Sequence, residues 1–128
     1  MFHFPPAITD AALLMLRLTI AAVFLSSGWS HASDPAGRAE GIGMSKRFTF
    51  FLGIAEIAGS LGVAFGALTQ VAALGLILVM LGAIQKKIFV WHTGFWGRKG
   101  NGWHYDLMLL VMNVVVIATG GGNWVLVR

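Results

Sequence analysis

The chain has no cysteine. Thiol nucleophiles, structural disulfides, CxxC redox pairs and thiolate metal sites are therefore excluded, and any redox chemistry needs a cofactor or a partner. Charge is nearly as scarce: 11% of the 128 residues are charged, against 57% apolar, which leaves too little polar surface to solvate a water-soluble fold of this size. Lipid is the solvent this composition fits. Strict alternation of apolar and polar residues is also missing, and with it the pattern of a membrane β-barrel. No phosphate-binding glycine loop, H-x-x-H or H-E-x-x-H spacing occurs, so no metal site is expected from pattern.

Long apolar runs are what the chain has instead. A bilayer core of about 30 Å asks roughly 20 apolar residues of each spanning helix. Four runs meet that demand, at about 11–30, 48–68, 71–90 and 103–120. The expectation is an all-α integral membrane four-helix bundle, a single transmembrane domain over 1–128. Ser30 to Arg47 reads as a polar loop, Thr69 and Gln70 as a very tight connection, and Gly120-Gly121-Gly122 as the end of the fourth span. The stretch from Trp91 to Gly102 has four glycines with Trp91 and Trp96, and Trp103 follows at once; it reads as an interfacial loop. Ser30-His31-Ala32 resembles a signal-peptide cleavage site. However, Met1 to Ala11 has no Lys or Arg and Arg17 interrupts the apolar region, so the first run is expected to be retained.

Basic residues set an orientation. Arg38, Lys46 and Arg47 fall in the first loop and Lys86, Lys87, Arg98 and Lys99 in or beside the third, leaving Arg128 alone on the other side. The positive-inside rule puts both loops in the cytoplasm and both termini outside. The net charge of +4 is then a signal of topology and anionic lipid, and no nucleic-acid partner is implied.

Ionisable residues inside the runs are the candidate site residues, because each costs several kcal/mol in hydrocarbon unless paired, hydrated or neutralised. Arg17 and Glu56 have opposite signs, and helix rise puts them at depths of roughly 9 and 16 Å, so a buried polar pair is expected. Such a pair forms either the floor of a pocket for a head group, proton or quinone, or a structural tie that fixes helix register. His31, His92, Trp103, His104, Tyr105 and Asp106 are expected at one membrane depth near the cytoplasmic ends of the helices. Converging imidazoles there would suit proton relay or ligation, whereas histidines and tryptophans also settle at interfaces for their own sake. Asp106 is expected to neutralise Lys86 or Lys87, and Asn113 to hydrogen-bond across the bundle. Gly28, Gly59, Gly62 and Gly66 are expected to let helices approach, Gly62 to Gly66 being a GxxxG step.

Four segments together resemble the DoxX family of small four-helix membrane proteins: Leu14-Met15-Leu16-Arg17-Leu18, Ser27-Gly28-Trp29, Glu56-Ile57-Ala58-Gly59 and Gly102-Trp103-His104-Tyr105. The chain departs from the family pattern at Ser30-His31, where a lysine is common, and at His104, where an acidic residue is usual. The resemblance implies a bundle in the bacterial inner membrane, with Arg17, Gly28, Glu56, Gly59, Trp103 and Tyr105 at family positions. Named relatives are linked to a thiosulfate:quinone oxidoreductase and to membrane oxidoreductase assemblies. The resemblance therefore implies a non-catalytic or quinone-contacting subunit of a membrane redox system, with quinone as the cofactor in question and other membrane subunits or further copies of the chain as partners. The alternatives are a structural or assembly subunit docked on a larger complex and a small oligomeric transporter.

Overall fold

The computed structural model describes residues 4–42, 45–97 and 102–126, with the side chains of residues 38 and 40–42 outside that description. The expected roles of Arg98, Lys99 and Arg128 thus fall outside the described residues, as does the side chain of Arg38. Among the described residues five α-helices follow one another: α1 (Pro6–Ser33), α2 (Pro35–Ile42), α3 (Lys46–Phe65), α4 (Thr69–Gln85) and α5 (Trp103–Thr119), and α4 runs on into a π-helical turn at Lys86–Val90. Among the described residues there is no strand. Three helices, Pro6–Ser33, Lys46–Phe65 and Thr69–Val90, are long and apolar enough to cross a bilayer; α5 is apolar but shorter.

Local signals account for the helix ends. Pro6 opens α1, where its missing amide hydrogen costs nothing. Ser45 caps α3 by accepting from the Phe48 amide at 3.1 Å. Asp34, just beyond α1, accepts from the Gly37 amide at 3.3 Å and starts α2. The region expected as a loop is thus largely helical, because α1 continues to Ser33 and a short polar helix follows. Thr69 and Gln70 lie in the first turn of α4, and the tight connection is Gly66 to Leu68 instead. Gly66 itself, with φ of 73°, terminates α3 against Val125, so the GxxxG step is not a seam inside a helix.

The polarity of the molecule is inverted relative to a water-soluble bundle. Outward faces carry Phe51, Phe65, Val71, Leu78 and Met108, all more than half exposed. Such a continuous apolar exterior is stable only against lipid or a partner. Inside, an apolar centre of Ile20, Phe24, Val63, Leu76 and Val116 is flanked by buried Asp10, Arg17, His31, Glu56, Asp106 and Asn113. Buried positions recur every three or four residues, as at Thr49, Gly53, Glu56, Ser60 and Val63 on α3 and Thr69, Ala73, Leu76 and Met80 on α4, so the inward stripe is polar and small on α3 and mainly apolar on α4.

Helices α1 and α3 form the closest pair. A side chain on Gly28 would meet the Gly53 carbonyl at 2.8 Å, and one on Gly53 would meet the Ala32 amide nitrogen at 2.6 Å, so only hydrogen fits at this crossing. Gly59 and Gly62 make the equivalent room for Leu76 and Ala72 of α4. Helix α5 packs mainly on α4. The bundle thus has two ends. One, called the termini end here, carries the start of α1, the segment 120–126 and the α3–α4 turn, and the other, called the basic end, carries Lys46, Lys86 and Lys87.

Candidate functional site

At the termini end, Arg17 is 1% exposed and spends its guanidinium on backbone carbonyls. Nε donates to Val63 (2.9 Å), Nη2 to Ala64 (3.0 Å), and Nη1 to both Gly121 (3.1 Å) and Trp124 (2.7 Å). Val63 and Ala64 lie in the last turn of α3, whose carbonyls have no partner within the helix and sit at the negative end of its dipole. Gly121 and Trp124 belong to the C-terminal segment. That segment folds back over the bundle because Gly120, Gly121 and Gly122 all take positive φ (72°, 85° and 89°). Asp10 holds the same segment from α1, accepting from the Asn123 amide (2.9 Å) and side chain (3.2 Å).

The expected Arg17–Glu56 pair therefore does not form. Glu56 lies seven residues before Val63, about 10 Å down the helix, and four of the five guanidinium N–H donors are engaged above it. Glu56 instead has His31 as its neighbour: Nδ1 lies 3.4 Å from Oε1, and both side chains are buried. The same imidazole nitrogen lies 3.4 Å from the Ser27 hydroxyl. The second carboxylate oxygen, Oε2, is buried without a hydrogen-bond partner.

These groups border a cavity of about 720 Å³ in the basic half of the bundle, walled by α1, α3, α4 and α5. Its polar lining includes His31, Glu56, Lys86, Lys87, Tyr105 and Asp106 with Ser26, Ser27 and Ser30, and its apolar lining includes Phe24, Leu52, Met80 and Leu109. Lys87 reaches across to Asp106 at 2.8 Å and lies 5.7 Å from the centre of the Tyr105 ring. Both lysines lie in the π-helical turn, a wider turn that often marks functional positions. A smaller hollow of about 340 Å³ at the termini end is bordered by Thr69, Gln70 and Asn123 and has no ionisable side chain on its wall.

The six residues expected at one depth separate into two groups. His31, Tyr105 and Asp106 join Glu56 at the cavity. His92 is exposed with φ of 51°, and His104 turns to the loop, where Nδ1 lies 2.6 Å from the Phe95 carbonyl and the ring lies beside Trp96. Trp103 packs edge-on to Phe95 in that loop. Among the described residues, no three His, Asp or Glu side chains gather as a metal ion would need. Asn113 donates to Leu109 of its own helix (2.8 Å), and so does not bridge helices by that bond. Asp10 was not singled out by the sequence because it stands one residue before the apolar run. Its only signal was an acid so close to a hydrophobic helix.

An all-α bundle with an apolar exterior, long apolar helices and a polar cavity is a membrane protein. Within that class, the DoxX family model matches residues 12–93, from α1 through the end of α4, and the chain belongs to this family. It is also 34% identical over 132 aligned positions to the uncharacterized membrane protein Rv3486 of Mycobacterium tuberculosis, covering 91% of this chain and 80% of that one. No solved structure matches. The family match takes in Arg17, His31, Glu56 and Lys87 and stops before Tyr105 and Asp106.

Proposed function

We propose that this protein is a quinone-contacting subunit of a membrane redox system of the bacterial inner membrane. In this reading it crosses the bilayer four times with both termini outside, and the cavity between α1, α3, α4 and α5 receives the quinone head. The observation that carries the reading is the coincidence of a cavity of about 720 Å³ with four buried or half-buried titratable groups, His31, Glu56, Tyr105 and Asp106. The volume lies within the range of roughly 300–1,000 Å³ common to small-molecule sites, which are mostly apolar with a few placed polar groups. Phe24, Leu52 and Met80 suit the face of a ring, while Tyr105, Lys86 and Ser27 supply hydrogen-bond donors for ring oxygens. Electrons come from a partner subunit, and this chain holds the quinone.

The test uses Trp91, which borders the cavity. Protein purified in mild detergent is extracted for quinones and, after delipidation, titrated with duroquinone while tryptophan emission is followed. Saturable quenching that falls in Trp91→Phe supports the reading. Failure to bind any quinone, with none in the extract, sinks it.

A second reading, a structural subunit docked on a larger complex, is supported by Gly75. A side chain there would meet nothing within 4 Å, and Val71 and Leu78 on the same face of α4 are exposed. Co-purification with a large complex that Gly75→Leu abolishes, without loss of folding, would favour it over quinone contact.

A further inference from the structure

We propose that the cavity is selective for the reduced, hydroxyl-bearing form of its ligand, a quinol, over the oxidised quinone, with Glu56 Oε2 as the acceptor that reads the difference. This rests on the quinone-contacting reading and sharpens it. Most polar groups around Glu56 are already engaged. Ser60, on the α3 face next to Glu56, gives its hydroxyl to the Ile57 carbonyl at 2.8 Å. The Glu56 Oε1 atom has the His31 ring at 3.4 Å, and Asp106 has Lys87 at 2.8 Å. Glu56 Oε2 is left, on a residue 2% exposed that borders the cavity, with no donor aimed at it. A buried oxygen in that state carries the full desolvation penalty until a donor arrives.

The two redox forms of the head group differ in what they bring. A quinone has carbonyl oxygens, which only accept. A quinol has O–H groups, which donate and also accept. Carbonyl oxygen against Glu56 Oε2 sets two acceptors face to face and leaves both unpaired. Quinol hydroxyl against the same atom forms a hydrogen bond to a carboxylate, the stronger class of such bonds. The far oxygen of either form is served alike by the donors of Lys86 and Tyr105, so discrimination comes from the Glu56 side. Rejection of an analogue that lacks the hydrogen a buried partner needs is the stronger kind of specificity.

Geometry also fits access from lipid. Leu78, Gly82 and Ala83 of α4 and Ser26 of α1 border the cavity. Leu78 and Gly82 are themselves exposed on the outer face of α4, and a side chain on Gly82 would meet nothing within 4 Å. A ring with an apolar tail is thus able to enter sideways, head first, with the tail left among the acyl chains.

The experiment is equilibrium dialysis of the full chain in lipid nanodiscs, under anaerobic conditions, against duroquinol and separately duroquinone, with bound ligand measured by chromatography. Wild type is expected to hold duroquinol about tenfold more tightly than duroquinone, the scale of one hydrogen bond to a charged group. Glu56→Gln, whose amide offers a donor as well as an acceptor, is expected to bring the two affinities within about threefold. Lys86→Gln is the second variant, expected to weaken both forms together and keep their ratio. Equal binding of the two forms by wild type overturns the selectivity and leaves the quinone-contacting reading standing. Binding of neither form overturns both. Preference for duroquinol that survives intact in a folded Glu56→Gln variant shows that another group reads the hydroxyl and also overturns the proposal.

Discussion

Replacing Arg17 by methionine removes four hydrogen bonds while keeping an unbranched apolar side chain of similar length. Each bond from a charged donor contributes about 1.5–3 kcal/mol, so the gross loss is roughly 6–12 kcal/mol. Two effects offset it. The buried guanidinium no longer needs to be kept from water, which returns about 2.5–3.5 kcal/mol. Part-exposed carbonyls of Ala64 and Trp124 also regain water at the bundle end. A net destabilisation of about 3 kcal/mol or more remains, comparable to the removal of one partner from a buried pair. Arg17→Lys is expected to fall between, since an ammonium has three donors and no fork with which to span α3 and the C-terminal segment at once. Unfolding by added dodecyl sulfate in mixed micelles measures the difference. Trp124, whose carbonyl Arg17 holds, is the optical probe, with Trp124→Phe identifying its share of the signal. A change under about 0.5 kcal/mol in Arg17→Met would refute the view that these bonds hold the termini end together.

Gly53→Leu is expected to prevent the α1–α3 crossing, because a side chain there meets backbone at 2.6 and 2.7 Å; the readout is loss of the monodisperse folded peak on size exclusion. Asp106→Asn should weaken the bundle by about 1–3 kcal/mol by leaving Lys87 half-buried without its carboxylate, and Lys87→Met in the same chain should recover part of that loss in the sulfate titration. Asp10→Ala should free the C-terminal segment, raising the rate at which a protease trims residues beyond Gly122 while the bundle stays folded. A single cysteine introduced near either terminus, in a chain with no cysteine of its own, should react with an impermeant maleimide added outside the cell. Labelling only after lysis would reverse the orientation.

Much of the architecture was legible because a bilayer enforces it: a run of about 20 apolar residues leaves few options other than a helix. The short helix Pro35–Ile42 was missed because eight residues of mixed character, with Pro35, Gly37 and Gly41 among them, carry no such enforcement. At the site, composition pointed to Arg17, His31, Glu56, Tyr105 and Asp106, yet it mispaired them. Opposite charges at similar depth suggested Arg17 with Glu56, a rule that neglects the backbone. The unpaired last-turn carbonyls of α3 are acceptors that a guanidinium fork matches better than a single carboxylate. His31 and Glu56 were each picked out, but the register that joins them depends on Gly28 and Gly53, where two backbones touch, and on the rotation of each helix about its axis. Neither is written in a run of apolar letters. The same holds for His104, which shares a neighbourhood in sequence with Tyr105 and Asp106 but leaves α5 on another side.

The network around Arg17 also has a consequence for the order of events during biogenesis. Two of its four acceptors, Gly121 and Trp124, lie 104 and 107 residues further along the chain. While the ribosome is still making α5, the first helix is already in or near the membrane with a guanidinium only half satisfied. It completes its bonds only when Gly121 and Trp124 arrive. A chain that stops short of Gly121 therefore keeps a charge in α1 with only the Val63 and Ala64 carbonyls to receive it.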